Sequence, residues 1–292
     1  MPTPPVISYE GSDYQTSFWE QGGRAYEDAV EVVALKRLMP PGGKLLLELG
    51  AGAGRNTPRY TGFERIVLLD YSRTQLEQAR QRLGTDGRYI YVAADIYRLP
   101  FVPGLFDCAT MIRTLHHMAD ARLALTQVRQ VLRGGAVFVL EYANKRNLKS
   151  IARFLLRMQK WNPFSPEPVE FAPLNFDFHP ETVRTWLRLS GFAVERQLTV
   201  SHFRMALFKR LLPLRLLVAM DSIAQRTGDA WQLSPSVFTR NRALGETPTA
   251  PEGAFFRCPA CGAALEDTPP EIACAACGKT YPVVDGIYDF RA

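Results

Sequence analysis

Short apolar segments alternate with amphipathic ones along the first half of the chain. Residues 73–83 and 119–132 place apolar residues at helical spacing, and residues 24–39 do so ahead of Pro40. Five further segments are continuous in apolar residues and predict strands, at 45–50, 65–70, 89–95, 106–114 and 136–143. Continuous apolar strands separated by amphipathic helices predict an α/β fold, in which a mostly parallel sheet carries helices on both faces.

The regular alternation ends at residue 143. Beyond it we expect a helix over 179–192, a strand over 193–200, and the last, edge strand of the sheet over 236–243. This leaves two insertions, 144–180 and 201–235, and the second is expected to be largely helical. Pro and Gly residues predict a linker at 246–254, so the chain is expected to divide into a main domain, residues 1–245, and a small module, residues 255–292.

The first insertion predicts a basic amphipathic helix. Its cations recur every three or four residues and its apolar residues line another face: Arg146, Lys149, Arg153, Arg157 and Lys160 against Leu148, Ile151, Leu155 and Met158. The second insertion is apolar with scattered cations over residues 203–220. Three interpretations stay open: a lid over a hydrophobic or phosphorylated substrate, a peripheral contact with a membrane surface, or a packed cap with a solvated cationic face.

Composition fits an ordinary globular core, because 47% of the 292 residues are hydrophobic and 22% are charged. No apolar run reaches the roughly 18–20 residues of a membrane-spanning helix, so no transmembrane segment is expected. The first residues have neither a cationic start nor an apolar signal core, which favours a cytoplasmic location. The net charge of +6 divides into +9 over residues 1–250 and −3 over residues 251–292. The main domain therefore favours an anionic partner, unless its cations only form a solvated face.

A glycine-rich loop directly after the first strand is the strongest chemical signal. In ELGAGAGRNT, Gly50, Gly52 and Gly54 allow a tight turn and the close approach of a ligand to bare backbone. Parallel sheets bind ligands at the carboxyl ends of their strands, where this loop lies. The loop alone is compatible with several nucleotide-like ligands.

Acidic residues end the first three predicted strands: Glu48, Asp70 and Asp95. Asp70 comes 20 residues after Gly50, and a carboxylate there can accept hydrogen bonds from both hydroxyls of a ribose. A carboxylate at Asp95 can accept a hydrogen bond from an adenine amino group, with Ile96 packed on the ring.

Together these motifs resemble the class I methyltransferases that use S-adenosylmethionine, and specifically the group of ubiquinone and menaquinone C-methyltransferases. The resemblance covers residues 45–143 and implies a Rossmann-like, mostly parallel seven-stranded sheet. It implies that Glu48, Gly50 and Gly52 wrap the methionine part of the cofactor, that Asp70 binds the ribose, and that Asp95 and Ile96 hold the adenine. Gly54, Tyr71 and Arg113 complete the expected cofactor set. A dinucleotide-dependent dehydrogenase is the competing use of such a loop, but the G-x-G-x-G spacing and the lack of a nicotinamide half in the sequence argue against it.

In the family that the motifs resemble, the methyl acceptor approaches near the end of the fourth strand. Here that stretch reads MIRTLHHM, so His116 and His117 are candidate general bases, unless one of them only caps the following helix. The N-P-P-Y motif typical of amino-group methyltransferases is absent from the sequence after this strand, and Cys108 is expected to be a core residue. Further candidates for lining a substrate pocket are Trp19, Trp161, Phe164 and Phe176.

Four cysteines near the C-terminus form two C-x-x-C pairs, Cys258 with Cys261 and Cys274 with Cys277. Twelve residues separate the pairs, and four thiolates at such a spacing can close a tetrahedral structural Zn²⁺ site. A pair of disulfides, or a ribbon that has lost its metal, are the alternatives. So small a module has almost no core of its own, so metal is expected to supply most of its folding energy.

Most of residues 255–292 resembles the short zinc-ribbon proteins that act as activator subunits of tRNA, ribosomal-RNA and release-factor methyltransferases. The resemblance implies a ribbon that binds and stabilises a methyltransferase, here fused to its client. The acidic charge of the module argues against direct nucleic-acid binding by the ribbon.

Three functions remain open on the sequence. The first is methylation of O or C in a small or lipid-like, hydrophobic or anionic acceptor. The second is methylation of RNA, either tRNA or ribosomal RNA, with the ribbon as a fused activator. The third is a regulatory protein that binds S-adenosylmethionine without turnover.

Overall fold

The computed structural model describes residues 4–13, 15–247 and 249–291, and it confirms the predicted alternation of strands and helices. The first half contains α1 Ala25–Leu38, β1 Gly43–Leu49, β2 Phe63–Asp70, α2 Arg73–Leu83, β3 Tyr89–Ala93, β4 Phe106–Met111, α3 Ala121–Val131 and β5 Leu132–Ala143. The bounds of α2 match the prediction because Ser72 caps its first turn and Gly84, at φ +89°, ends it.

The second half contains the insertions and the rest of the sheet. Its elements are α4 Leu148–Leu155, β6 Val169–Ala172, β7 Asn175–Asp177, α5 Pro180–Leu189, β8 Phe192–Val200, α6 Ala206–Leu211, α7 Leu214–Ala224 and β9 Ser236–Ala243. Five short strands follow: β10 Phe256–Arg257, β11 Ala264–Leu265, β12 Glu271–Ala273, β13 Thr280–Val284 and β14 Ile287–Asp289. The small β6–β7 hairpin in the first insertion was not predicted.

Seven strands form the expected sheet, in the order β3-β2-β1-β4-β5-β9-β8. Strands β1 to β5 are parallel to one another, and β9 is antiparallel to β5. Helices α3 and α5 pack on one face through residues such as Leu125 and Val183. Helices α1, α2 and α7 cover the other face through Val30, Leu76 and Leu217. The predicted sheet with helices on both faces is confirmed.

Residues 236–243 form a strand, but the expectation that this strand lies at the edge of the sheet is wrong. Strand β9 lies between β5 and β8 and is antiparallel to both. Val237 and Phe238 are fully buried, one in the core on each face of the sheet. Arg240 of β9 is half-buried and pairs with Glu195 of β8.

The C-terminal module extends the same sheet. Strand β14 pairs in parallel with β3, with Ile287 opposite Tyr91, and β13 and β12 follow as further strands. Phe256 of β10 is 1% exposed, and its ring lies 6.0 Å from that of Phe101. The module therefore shares the core of the main domain.

The first insertion departs from the predicted long helix. Helix α4 ends at Leu155, and Arg157 has a left-handed φ of +56°. The amide of Met158 then donates to the carbonyl of Arg153, which closes the helix in a Schellman motif, so Arg157, Met158 and Lys160 lie beyond it. The second insertion is largely helical, as expected.

Among the described helices, none is long and apolar enough to cross a membrane. The cytoplasmic location expected from the sequence stays a prediction.

Candidate functional site

A cavity of about 950 Å³, including its open mouth, lies at the carboxyl ends of β1, β2 and β4. The loop after β1 forms its floor with Gly50 and Gly52, and Asp70 at the end of β2 forms one wall. Ile96, Arg113 and the N-terminal segment are among the other lining residues. The cavity thus lies where open α/β sheets bind ligands.

The three glycines of the loop all have left-handed φ angles, between +53° and +72°. A Cβ on Gly50 would lie 2.1 Å from the Thr114 hydroxyl oxygen, so a side chain has no room there. A Cβ on Gly52 would meet only Gln75 Oε1, at 3.8 Å, and both residues line the cavity, so it would take up ligand space. Gly54 packs under the loop, where a Cβ would lie 2.8 Å from Leu83 Cδ1. Within the described chain Gly54 does not line the cavity, so its predicted cofactor contact finds no support.

Asp70 joins the glycine loop to the end of β2. Its Oδ2 accepts from the Gly52 amide at 2.8 Å and its Oδ1 accepts from the Ser72 amide at 2.9 Å. Burial raises the pKa of this carboxyl, although these backbone bonds counteract the effect. Asp70 lines the cavity, and its contact with the ribose hydroxyls of a cofactor stays a prediction.

Glu48 lies under the same loop and lines the cavity with 4% of its surface exposed. Thr57 Oγ1 donates to its Oε2 at 2.6 Å. Burial raises the pKa of the Glu48 carboxyl to about 7. The Glu48 carboxyl can therefore ionise near neutral pH, and a cation in the cavity would favour its charged form.

Ile96 lines the cavity, and its packing on an adenine ring stays a prediction. Asp95, one residue earlier, uses Oδ1 to accept from the Tyr97 amide at 2.9 Å, which caps the short turn over Ile96–Arg98. In the described chain Asp95 does not itself line the cavity, so its assignment to an adenine amino group stays a prediction.

Arg113 lines the cavity at the end of β4, and α1 holds it in place. Its guanidinium pairs with Glu31 at 2.5 Å, and Arg55 of the glycine loop pairs with the other Glu31 oxygen at 2.7 Å. Burial acts to raise the pKa of Glu31, but the two guanidinium groups hold it below its usual range. Trp19 also lines the cavity, with its ring 3.5 Å from the Arg55 guanidinium carbon. The other three predicted aromatic residues, Trp161, Phe164 and Phe176, are not among the lining residues of the described chain.

The N-terminal segment covers the cavity, which the sequence did not predict. Val6, Ile7 and Tyr9 line it, and Val6 forms a bridge with Met118. The Glu10 carboxylate accepts from the first two amides of α2. The only sequence signal was a run of apolar and aromatic residues without helical or strand periodicity.

His116 and His117 lie side by side in a short turn, with ring centroids 3.9 Å apart. His117 lines the cavity, and its Nδ1 lies 3.2 Å from the Leu174 carbonyl, which can only accept. Nδ1 therefore carries the proton, and Nε2 of the neutral ring accepts from the Tyr9 hydroxyl at 3.2 Å. Burial lowers the pKa of both histidines. His116 Nδ1 is buried without a hydrogen-bond partner in the described chain.

The alternative that one of these histidines caps the following helix is wrong. The N-cap of α3 is Asp120, whose side chain accepts from the Leu123 amide. Cys108 is fully buried in β4, which confirms its prediction as a core residue.

Buried acidic groups lie beyond Arg113, toward the first insertion. Glu141 of β5 accepts from the Arg113 amide at 2.9 Å, and burial raises its pKa. Burial also raises the pKa of Asp177 in β7 to about 6, against the opposing effect of Arg204. The sequence reasoning missed both acids, because they come together only when the β6–β7 hairpin folds back on the sheet.

The four C-terminal cysteines form one cluster, in which all four Sγ atoms lie within 4.8 Å of one another. The Sγ atoms of Cys258 and Cys277 are 3.7 Å apart, and those of Cys261 and Cys274 are 3.6 Å apart. These separations are too long for disulfide bonds, so that alternative is wrong. They match the edge of about 3.8 Å of a tetrahedron with Zn–S bonds of about 2.3 Å.

Known proteins resemble this chain in sequence over its central part. Residues 47–140 match the family model described as "Methyltransferase domain". An O-methyltransferase of Penicillium expansum is 32% identical over 142 residues, 44% of this chain and 51% of the relative. A demethylmenaquinone methyltransferase of Clavibacter sepedonicus is 28% identical over 176 residues, 56% of this chain and 71% of the relative. The chain spans about half the length of the curated relatives it matches.

Solved structures resemble its fold. One is a complex between a Haloferax volcanii methyltransferase activator and a putative methyltransferase, with a TM-score of 0.56 at 17% identity over 80% of this chain and 96% of that chain. An S-adenosylmethionine-dependent methyltransferase of Mesorhizobium loti has a TM-score of 0.52 at 20% identity over 75% of this chain and 100% of that chain. At these identities the likeness establishes the fold, and it confirms the predicted Rossmann-like architecture.

Proposed function

We propose that this chain, which carries a methyltransferase domain of the S-adenosylmethionine-dependent class, transfers a methyl group to an oxygen or carbon of a small, hydrophobic or anionic acceptor. The observation that carries the proposal is the juxtaposition of the glycine-loop cavity with His117, which lines it. One relative is an O-methyltransferase and another is a demethylmenaquinone methyltransferase, which supports this acceptor class.

The residues of the cavity fit S-adenosylmethionine. Gly52 leaves space that a Cβ would fill, Asp70 offers lone pairs to ribose hydroxyls, and Ile96 offers an apolar wall to adenine. Glu48 is a buried acid that can balance the positive charge of the methionine part. The cofactor, when bound, supplies a methyl group already activated on its sulfonium sulfur. Positioning and removal of the acceptor proton are then the tasks left to this chain.

His117 is the better of the two candidate bases, because it lines the cavity and His116 does not within the described chain. The Leu174 carbonyl places the proton of the neutral His117 ring on Nδ1, so Nε2 is the nitrogen that can take the acceptor proton in place of the Tyr9 hydroxyl. Because burial lowers the pKa of His117, this ring is neutral near pH 7. His116 packs against the His117 ring, with ring centroids 3.9 Å apart.

The experiment is a methylation assay with labelled cofactor on phenols, catechols and quinols, with primary amines and side-chain amides as negative acceptors. Transfer to O or C of a hydrophobic acceptor supports the proposal. His117→Ala is expected to lower kcat at least tenfold, whereas His116→Ala, which removes no residue of the cavity lining, should lower kcat less. Full kcat in His117→Ala would remove the assigned base. Tight cofactor binding without methylation of any acceptor class would favour the regulatory protein.

A second candidate function is RNA methylation. The charge of +9 over residues 1–250, with exposed cations in the first insertion that form no ion pair with another described residue, is the observation that favours it. Incorporation of label into tRNA or ribosomal RNA, lost at raised salt, would select this function over the first.

We also propose that the cysteine cluster binds one structural Zn²⁺ and that the ribbon stabilises its own main domain. The sulfur separations fit the metal, and the knuckle glycines Gly262 and Gly278 have the left-handed φ angles that such turns need. The pairing of β14 with β3 supports an intramolecular role. The structurally similar complex joins a methyltransferase activator to a putative methyltransferase, which supports the same role for the ribbon.

A further inference from the structure

Large apolar side chains are exposed in two short segments of the insertions. Of the sixteen such side chains among the described residues, nine lie within residues 148–158 and 205–216: Leu148, Leu155, Leu156, Met158, Met205, Leu207, Leu211, Leu214 and Leu216. Leu155 and Leu156 are each 70% exposed. We call the exposed residues of 148–160 and 205–216 the insertion surface. Apolar side chains clustered in this way mark a surface that binds something.

Both segments follow strands that end on the same side of the sheet, at the carboxyl ends of its parallel strands. Strand β9 begins at Ser236, which pairs with Ala143 at the end of β5. On its other side, Ser236 pairs with Val200 at the end of β8. The first segment is tied to this edge by the Leu148 amide, which donates to the Leu233 carbonyl. Lys209 anchors the second segment beside the N-terminus of α1 through Glu27. The insertion surface thus lies next to the carboxyl ends of the strands, where the cavity opens.

The charges of the insertion surface have one sign. Lys149, Arg153, Arg157 and Lys160 are exposed in the first segment, and Arg210 and Arg215 in the second. Residues 145–166 and 201–220 contain no Asp or Glu, and no ion pair engages these six cations in the described chain. The surface therefore combines exposed leucines with unneutralised cations.

We propose that the insertion surface docks the protein on the interface of an anionic lipid bilayer. Lysines and arginines near such an interface meet negatively charged headgroups, while adjacent apolar side chains enter the acyl boundary. The phosphates of RNA would contact the cations but would leave the nine exposed apolar side chains without a binding partner. A second copy of this chain would bring like charges together. The inference goes beyond the proposed function, since docking needs neither cofactor nor acceptor, although it would place the cavity beside apolar acceptors.

The experiment is co-sedimentation of the full chain with vesicles of phosphatidylcholine alone and of phosphatidylcholine mixed with phosphatidylglycerol in equal parts. We expect binding to the mixed vesicles that weakens with salt. Each cation near the surface contributes roughly fivefold to affinity, so Lys149→Gln with Arg153→Gln should weaken binding about 25-fold. The matched charge control is Lys36→Gln with Arg226→Gln, which removes two exposed cations elsewhere and should bind as the parent does.

The apolar contribution needs its own pair of variants. Leu155→Ser with Leu156→Ser should weaken vesicle binding at least tenfold, whereas Leu189→Ser with Leu244→Ser, also exposed but outside the insertion surface, should not. Unchanged cofactor affinity in all four variants confirms that they fold. Three results would overturn the proposal: no binding to the mixed vesicles, equal losses in variants and controls, or a dimer that buries Leu155 and Leu156. Failure of methyl transfer would leave vesicle binding unaffected, so the two proposals fail separately.

Discussion

At the scale of single residues, charged side chains from distant parts of the sequence form ion pairs beside the cavity. Glu31 of α1 receives Arg55 from the glycine loop and Arg113 from the end of β4. Because Glu31 is 1% exposed, loss of either arginine would leave a buried carboxylate that is less well compensated. The local shape of the glycine loop, by contrast, depends on backbone conformation.

Gly52→Ala tests the space that the loop leaves for a ligand. The left-handed φ of +53° costs an alanine about 1–2 kcal/mol, and the added Cβ enters the cavity. We expect cofactor affinity, measured by calorimetry, to fall at least about tenfold, or about 1.4 kcal/mol. Gly87→Ala is the matched control, because Gly87 also has a left-handed φ, +83°, but faces open space. Equal affinities of the two variants would count against the site.

Glu48 makes stability depend on pH. Burial raises its pKa to about 7 in the folded chain, above the usual 4.5, so the folded state holds the proton more tightly than the unfolded state. The stabilising contribution is present below about pH 4.5 and is lost as pH rises through about 7, by at most about 3 kcal/mol.

Urea unfolding of the parent and of Glu48→Gln at several pH values measures this contribution. The parent is expected to lose stability relative to Glu48→Gln between pH 5 and pH 8. Glu64→Gln, at an exposed position of β2, is the control and should follow the parent. Parallel profiles for the parent and Glu48→Gln would mean that Glu48 ionises normally.

At the scale of elements, the ribbon strands continue the sheet of the main domain. The Phe290 amide donates to the Ala93 carbonyl at 2.8 Å, next to the pairing of β14 with β3. Ile272 and Tyr281, one from each of two ribbon strands, are fully buried. The ribbon strands therefore cover the edge of β3, which would otherwise be open, and the four clustered cysteines lie in the same module.

Replacing Cys258 and Cys261 by Ser is expected to change both metal content and stability. Zinc measured by mass spectrometry should fall from one per chain to none, because two of four ligands are lost. The melting temperature should fall by at least about 5 °C, since β12 to β14 lose their support. Cys108→Ala is the control: it removes a buried thiol outside the cluster and should retain the zinc. Full zinc content in the double variant would refute the site.

At the scale of the whole molecule, the two ends of the chain meet beside the cavity. Arg291, after β14, donates to Glu10 Oε2 at 2.9 Å and to the Tyr71 carbonyl at 3.1 Å. Glu10 belongs to the segment that covers the cavity, and Tyr71 lines it. The ribbon thus contacts the cavity wall through one side chain.

Arg291→Gln tests this connection. Because the Arg291–Glu10 pair is partly exposed, we expect a modest loss of cofactor affinity of threefold to tenfold, about 1 kcal/mol, with zinc content unchanged. Arg257→Gln, also in the ribbon but in contact with Leu99 and Gln130, should keep the parent affinity. If both variants bind the cofactor as the parent does, the ribbon does not act on the cavity through Arg291.

The sequence by itself determined the elements that depend on local order. Continuous apolar runs specified the first five strands, and capping residues such as Ser72 specified α2 to the residue. The glycine loop and the paired cysteines were recognisable because their chemistry requires residues at short, fixed spacing. Asp70 was found for a similar reason, since a parallel strand ends at a predictable distance from the loop.

Only the tertiary structure decided which distant segments meet. The position of β9 between two strands, the addition of β14 to β3, and the N-terminal cover over the cavity each join residues far apart in the chain. Periodicity records which face of an element is buried, but not which element buries it. The buried acids Glu141 and Asp177 and the contact of Arg291 with Glu10 therefore had no signal in the sequence, because their partners are set by long-range packing.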